Sequence, residues 1–211
     1  MPAEPLETHW LEQAFYALLA QSGWEWLAVA LGIGYVILAA NNSKWAWPSA
    51  FFSTLIYTFL FWDGQLPMQA LLNAYYLLMA VYGFWLWNHS EKHPSSKQTA
   101  DSVSIHRKSL FFHLSFIAIG ITLSALAGIY LQTNNYSQLP YLDAFVTVFS
   151  VMNTVLMARK VIENWLYWIV IDSLAIYLYW ESGFYVTIVM FGLYLVLALY
   201  GYREWKLLAN R

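Results

Sequence analysis

The sequence predicts an all-α integral membrane protein with seven transmembrane helices in a 3+1+3 arrangement of parallel repeats. Three observations support this fold class. Of the 211 residues, 60% are hydrophobic and only 10% are charged, whereas soluble domains carry about 25% charged residues. Seven apolar runs have the length of roughly 20 residues that crosses a bilayer as a helix. Finally, part of the second half of the chain repeats the first half.

The same composition excludes several classes of protein. A chain with so few charges cannot form the surface of a soluble enzyme domain or a disordered tail. The net charge of −2 provides no basic field for phosphate backbones, so no nucleic-acid partner is expected. The chain has no cysteine, which excludes disulfides and thiolate metal sites. The histidines at 89, 93 and 106 are loosely spaced, so neither a metal nor another cofactor is predicted.

The apolar runs are predicted to be helices because an open strand in lipid would leave backbone groups unpaired. A short interfacial helix is predicted to precede them, within an N-terminal segment that mixes acidic and aromatic residues. The first 43 residues contain no Lys or Arg, so no cleavable signal peptide is expected. The predicted spans, in chain order, are 24–40, 45–62, 66–87, 109–131, 141–158, 163–180 and 183–203. The corresponding segments are an interfacial segment at 1–23, a first three-helix repeat at 24–88, a cytoplasmic linker at 89–108, a linker helix at 109–131, a second three-helix repeat at 132–206 and a cytoplasmic tail at 207–211.

Basic residues predict the orientation of these spans. With seven spans, all ten Lys and Arg residues fall on one side, in the loops after spans 1, 3 and 5 and at the C-terminus. The opposite side carries acidic residues and no basic ones. The positive-inside rule therefore predicts an outside N-terminus and a cytoplasmic C-terminus.

An internal repeat is seen when the chain is shifted by 118 residues. Spans 2 and 3 then resemble spans 6 and 7, and the single span 4 is left between two triplets with the same orientation. Parallel repeats of this kind are typical of transporters, in which the substrate site lies near the bilayer midplane between the repeats. The matched pairs include Trp47 with Trp165, Trp62 with Trp180, Tyr76 with Tyr194, Gly83 with Gly201 and Trp87 with Trp205.

Asp172 is the acidic residue predicted to lie near the bilayer centre. An ionisable residue at that depth costs several kcal/mol, which suggests a functional role. Trp165 and Trp168 precede it by seven and four residues and share its helix face. Two indoles and a carboxylate on one face predict a site for a flat aromatic cation. The alternatives are that Asp172 is a hydrogen-bonded packing residue and that the tryptophans are interface anchors.

Other polar side chains within the spans are sparse. Asn73 in span 3 and Asn153 in span 5 are predicted to line the pathway, since amides are costly in lipid. Ser53 and Tyr57 lie one turn apart in span 2, although small hydroxyl residues within spans more often serve helix packing. Tyr76 follows Asn73 in span 3.

With these features in hand, the sequence resembles the PnuC family of bacterial vitamin transporters. The resemblance rests on the run Ile162–Glu163–Asn164–Trp165, extended by Trp168 and Asp172. Trp47–Pro48, Gln65 and the two Tyr–Gly pairs at 82–83 and 200–201 add to it. It implies a homotrimer in the bacterial inner membrane that carries a vitamin by facilitated diffusion, with a cytoplasmic kinase trapping the arriving molecule. The family's substrates are nicotinamide riboside and, in one branch, thiamine. The resemblance also implies substrate contacts at Trp47 and Gln65.

Three positions depart from the pattern of the nicotinamide riboside carriers, which typically have Asn in span 2, Gln in span 3 and Asn in span 6. This chain has Ser53, Asn73 and Asp172 there. The changes make ribose and carboxamide contacts less favourable, so thiamine is the preferred substrate and nicotinamide riboside the alternative. A proton-coupled carrier that uses Asp172 is the second alternative. An intramembrane enzyme is not predicted, because no nucleophile and base pair or paired histidine site is seen.

Overall fold

The computed structural model describes residues 23–63, 67–91, 104–181 and 185–210, and all regular structure there beyond one isolated bridge is helical. The prediction of an all-α chain with seven helices is confirmed, and each predicted span corresponds to one helix. The predicted interfacial helix and most of the predicted linker lie outside the described residues. The helices are α1 Gly23–Ala40, α2 Ala46–Asp63, α3 Pro67–Glu91, α4 Leu110–Thr133, α5 Pro140–Ala158, α6 Asn164–Glu181 and α7 Tyr185–Ala209.

Four of the described helices are long and apolar enough to cross a membrane by composition alone. These are α1, α4, α5 and the part of α3 from Ala70 to His89. The other three, α2, α6 and α7, have at least 18 residues and therefore the length of a span. Their hydropathy is lowered by tyrosines, tryptophans and, in α6, by Asp172.

Large apolar side chains cover much of the outer surface of the described helices. On α4 the side chains of Leu110 and Phe111 are 74% and 79% exposed, and Leu126 is 61% exposed. A soluble monomer rarely exposes an apolar area of this extent, so this surface is suited to lipid.

The helices contact one another in a ring. Going round it, α1 packs on α2, α2 on α3, α3 on α5, α5 on α6, α6 on α7, and α7 returns to α1. Helix α4 packs on α5, at the outside of this ring. The ring therefore places α1, α2 and α3 opposite α5, α6 and α7.

The loop between α1 and α2 and the loop between α5 and α6 have the same backbone structure. Asn42 and Lys160, which are 118 residues apart, both have a positive φ, at 54° and 55°. Each lies just beyond a helix end, where a left-handed residue lets backbone N–H groups reach back to the last carbonyls. The matching bonds join Ser43 N to Leu38 O at 2.9 Å and Val161 N to Leu156 O at 3.0 Å.

Four tryptophans near these loops form a cluster inside the ring, and each is at most 2% exposed. We call Trp47, Trp87, Trp165 and Trp205 the tryptophan cluster. Trp47 meets Trp87 edge to face with ring centroids 5.5 Å apart, and Trp165 meets Trp205 in the same way at 5.4 Å. The rings of Trp87 and Trp205 join the two pairs at 6.1 Å.

The two halves are also cross-linked by hydrogen bonds from this cluster. The indole Nε1 of Trp87, in α3, donates to the carbonyl of Ala158 at the end of α5 at 2.8 Å. The indole Nε1 of Trp205, in α7, donates to the carbonyl of Ala39 near the end of α1 at 2.9 Å. Each half thus caps the end of the first helix of the other, which satisfies carbonyls that a helix end leaves unpaired.

Candidate functional site

Asp172 lies in the middle of α6 and is only 3% exposed. Within the described part of the chain, no side chain or backbone group forms a hydrogen bond or ion pair with its carboxylate. A buried carboxylate without a partner is unfavourable unless a proton or a ligand neutralises it. Asp172 is therefore the residue from which the site is built.

Polar side chains from every helix of the ring lie near one another around Asp172. Tyr194 of α7 is close enough to interact electrostatically with Asp172 and with Tyr57 of α2. Tyr76 of α3 lies close to Ser150 of α5 and to two further tyrosines, one on α1 and one on α6. Helix α4 contributes none of these side chains. We call the set the central polar cluster: Tyr35, Tyr57, Tyr76, Ser150, Asp172, Tyr179 and Tyr194.

The five tyrosines of this cluster are half-buried, in contrast to the fully covered indoles of the tryptophan cluster. Phenol side chains offer an apolar ring face together with a hydroxyl that can donate and accept. Their ring faces also attract cations. The central polar cluster therefore combines one carboxylate with several aromatic faces and hydroxyls, which is suitable for a small aromatic ligand with a positive charge.

The two halves of the ring contribute to the cluster in an equivalent way. Tyr76 reaches Ser150 of α5, and 118 residues later Tyr194 reaches the equivalent position of α1, which is Gly32. A Cβ atom at Gly32 would lie only 3.1 Å from the Tyr194 hydroxyl oxygen, so this approach is close. The acid is not repeated, because the position equivalent to Asp172 is Thr54. Among the members of the central polar cluster, the acidic side chain therefore comes from the second half.

The two predicted tryptophan contacts lie in different environments. Trp165 is 1% exposed, and its ring packs against Trp205 and the backbone of Gly201. Trp168, one turn closer to Asp172, is half-buried and bridges the two apolar cores of the molecule. Of the two indoles, Trp168 has the more accessible ring, while Trp165 belongs to the tryptophan cluster.

Three other predicted site residues lie within helix contacts. Trp47 is 2% exposed and packs on Gly83, where an added Cβ would be only 2.3 Å from the ring. The Ser53 hydroxyl donates to the carbonyl of Ala28 at 2.8 Å and joins α2 to α1. The Asn153 amide donates to the carbonyl of Asn164 at 2.9 Å and joins α5 to the start of α6.

The remaining predictions have mixed positions. Tyr57 and Tyr76 belong to the central polar cluster, as described above. Asn73 is half-buried in α3, and Gln65 lies outside the described residues. Four members of the central polar cluster were not predicted as site residues from the sequence: Tyr35, Ser150, Tyr179 and Tyr194. The repeat contained a signal for Tyr194, because it is the partner of Tyr76 at the offset of 118.

Within the described residues, no three or more His, Asp or Glu side chains form a group that could hold a metal ion. The apolar exterior, the ring of helices and the partly accessible polar centre define a helical membrane protein with an internal small-molecule site. These features characterise a membrane transporter.

Comparison with known proteins identifies the family. The family model described as Nicotinamide mononucleotide transporter matches residues 22–207, so the chain belongs to this family of membrane transporters, the PnuC family. The chain is 26% identical to the riboflavin/roseoflavin transporter RibM of Streptomyces davaonensis, over 86% of this chain and 83% of RibM. It is also 26% identical to the nicotinamide riboside transporter PnuC of Haemophilus influenzae, over 99% of this chain and 92% of that protein.

A solved structure has the same fold. The crystal structure of the vitamin B3 transporter PnuC superimposes with a TM-score of 0.71 at 23% identity, covering 97% of this chain and 90% of that one. Family membership confirms the resemblance inferred from the sequence. The relatives are transporters rather than enzymes, which agrees with the prediction that this protein is not an enzyme.

Proposed function

We propose that this protein carries a small cationic aromatic B vitamin by facilitated diffusion. The observation that supports this proposal is Asp172, a carboxylate that is 3% exposed and unpaired among the described residues, beside aromatic side chains of the central polar cluster. A cationic ring that reached this site would neutralise the carboxylate and stack against Trp168 or the tyrosines.

Thiamine is the substrate that we favour, with nicotinamide riboside as the alternative. Thiamine and nicotinamide riboside each have one positively charged aromatic ring, so Asp172 suits both. The hydroxyl of Ser53 is already used by the carbonyl of Ala28, which leaves it less available for a ribose. Thiamine has no ribose, and the hydroxyls of Tyr57, Tyr76 and Tyr194 are suited to its aminopyrimidine.

The proposed architecture is that of two parallel three-helix repeats, α1–α3 and α5–α7, joined by α4. The equivalent loops and the reciprocal indole bonds support this architecture.

The proposed location is the bacterial inner membrane, with the N-terminus outside and the C-terminus in the cytoplasm. We further propose that the protein is a homotrimer and that a cytoplasmic kinase traps the transported vitamin. A native mass of the purified protein three times that of one chain would support the trimer, and a monomeric mass would contradict it.

The decisive experiment is calorimetric titration of the purified full chain with thiamine, nicotinamide riboside and riboflavin in separate runs. Riboflavin is uncharged and appears in the name of the relative RibM. It therefore distinguishes a site for cations from a site for aromatic molecules in general. We expect thiamine to bind most tightly. Tighter binding of nicotinamide riboside would favour the alternative substrate. Binding of riboflavin alone would overturn the proposal of a cation site.

The role of Asp172 can be tested with Asp172→Asn, which keeps the shape and removes the charge. We expect thiamine affinity to fall by about tenfold or more, the effect of losing one buried opposite charge. Affinity for deazathiamine, in which an uncharged thiophene replaces the thiazolium ring, should change little. Glu181→Gln at the exposed end of the same helix is the matched control. An equal loss for both ligands would indicate that Asp172 serves packing.

A proton-coupled carrier is a second candidate, because an unpaired buried carboxylate can also serve as a proton relay. Uptake of labelled vitamin into proteoliposomes, with and without a pH gradient, distinguishes the two candidates. Facilitated diffusion predicts equal initial rates. A gradient-dependent rate that is lost in Asp172→Asn would favour the coupled carrier.

A further inference from the structure

A partly open groove lies between α4 and α5, on the outer side of the ring and away from the central polar cluster. Its volume is about 320 Å³. Lys108, just before α4, and Phe112 and Phe116 in α4 form a row of residues spaced by four, and α5 and the loop after it contribute the opposite wall. The lining residues are Lys108, Phe112, Phe116, Met152, Val155, Leu156, Arg159 and Val161.

Charge is confined to one end of this groove. Lys108 and Arg159 are both exposed and lie at the ends of α4 and α5, whereas every other lining residue is apolar. The Lys108 Nζ lies 5.7 Å from the centroid of the Phe112 ring, at the junction of the charged and apolar parts. The positive end of the α4 helix dipole lies at the same place.

The neighbouring acid does not neutralise this charged end completely. Glu163 accepts a weak hydrogen bond of 3.5 Å from the backbone N–H of Lys108, and its carboxylate is 3.7 Å from His113 Nε2. Arg107, which precedes Lys108, is also exposed. Among the described residues at this end, the basic groups Arg107, Lys108 and Arg159 therefore outnumber the acid Glu163.

Two backbone hydrogen bonds join the segment before α4 to the loop after α5 at the charged end of the groove. His106 N donates to the carbonyl of Lys160 at 3.1 Å, and Ile162 N donates to the carbonyl of His106 at 3.0 Å. This isolated bridge ties the chain before α4 to the loop after α5. The backbone segments that carry Lys108 and Arg159 are thus held at the same end of the groove.

We infer that this groove binds one anionic phospholipid, with the headgroup phosphate on Lys108 and Arg159 and an acyl chain along Phe112, Phe116 and Val155. The division into a cationic end and an apolar trough matches the division of a phospholipid into headgroup and chain. Basic pockets between membrane helices bind anionic headgroups in this way. In the proposed orientation the charged end faces the cytoplasmic leaflet.

Lipid binding is tested by titrating the full chain in nonionic detergent with phosphatidylglycerol or phosphatidylcholine and measuring bound lipid by native mass spectrometry. The wild-type protein should bind phosphatidylglycerol more tightly. The double variant Lys108→Gln/Arg159→Gln should weaken phosphatidylglycerol binding by about tenfold or more, since each basic residue near a headgroup contributes. Arg203→Gln/Lys206→Gln, on exposed positions of α7, removes the same charge elsewhere and should have little effect.

Three outcomes would overturn the inference. The first is equal wild-type affinity for the two lipids, a result that requires no variant. The second is equal loss in both double variants. The third is a changed oligomeric mass in Lys108→Gln/Arg159→Gln, which would assign the groove to contact with a second copy of the chain.

The acyl-chain part of the inference has its own test. Val155→Trp fills the apolar trough and leaves both cations in place, so affinity for both lipids should fall. Unchanged phosphatidylglycerol affinity, together with displacement of the lipid by low millimolar inorganic phosphate, would show a simple anion site and contradict lipid binding. The assay contains no vitamin, so its outcome is independent of the proposed transport function.

Discussion

At the residue scale, two glycines determine how closely the helices approach the tryptophan cluster. An added Cβ would lie 2.3 Å from the Trp47 ring at Gly83 and 2.7 Å from the Trp165 ring at Gly201. Neither ring has free space to move into, because both are at most 2% exposed. These contacts explain physically why glycine occurs at equivalent positions of the two halves.

Gly201→Ala should therefore destabilise the protein. Overpacking of a filled core costs about 1–3 kcal/mol, which should lower the thermal unfolding temperature in detergent by several degrees. Gly192→Ala on the same helix is the control, since nothing lies within 4 Å of its added Cβ. That change should be neutral or stabilising, because alanine favours a helix more than glycine does. Similar losses in both variants would contradict the packing argument.

The indole N–H groups of the tryptophan cluster should also contribute measurably. Trp87→Phe keeps an aromatic ring but removes the donor to the Ala158 carbonyl, leaving a buried acceptor unpaired. We expect a loss of about 1–3 kcal/mol in unfolding free energy. Trp85→Phe on the same helix alters a side chain that is 55% exposed and serves as the control. Equal thermal denaturation of the two variants would show that the hydrogen bond is unimportant.

At the element scale, the sequence predicted the helices closely. Predicted span 45–62 corresponds to Ala46–Asp63 and predicted span 141–158 to Pro140–Ala158. Long apolar runs bounded by polar residues are a strong signal, because a membrane helix must satisfy its own backbone. The largest differences are at the ends of α3 and α7, which continue to Glu91 and Ala209. Hydropathy does not detect such extensions, since polar or charged residues such as His89, Glu91, Arg203 and Lys206 interrupt the apolar run before the helix ends.

The loops that end α1 and α5 provide an element-scale prediction. Asn42 has a φ of 54°, a conformation that glycine adopts freely and β-branched residues adopt with strain. Asn42→Val should destabilise the protein by about 1–2 kcal/mol, whereas Asn42→Gly should be close to neutral. Chemical or thermal unfolding of both variants measures the difference. A valine variant as stable as the glycine variant would contradict the assigned loop structure.

At the scale of the whole molecule, the central polar cluster requires six helices to meet. Its members are separated by more than a hundred residues, from Tyr35 to Tyr194, and only the closed ring brings them together. The first half alone would offer Tyr35, Tyr57 and Tyr76 without the acid. Because the position equivalent to Asp172 is Thr54 in the first half, the acid that the proposed cationic substrate requires comes from the second half.

The proposed orientation predicts the labelling of single-cysteine variants, which the cysteine-free sequence makes simple to prepare. Asn135→Cys lies between α4 and α5 on an exposed residue and should react with an impermeant maleimide added outside. Lys206→Cys, exposed near the end of α7, should react only after the membrane is opened. The reverse pattern would overturn the orientation, and labelling of both from outside would contradict an odd number of crossings.

The sequence by itself determined the membrane class, the seven helices, the repeat offset of 118 and the resemblance to the family. These properties depend on composition, on run length and on rare residues in register, and each can be read along the chain. The division between packing residues and ligand contacts was decided only by the tertiary structure. In a helix that faces lipid on one side and protein on the other, both sides are apolar, so periodicity does not show which face is buried. Trp165 therefore lies in the tryptophan cluster and Tyr194 beside Asp172, because ring closure determines which faces meet.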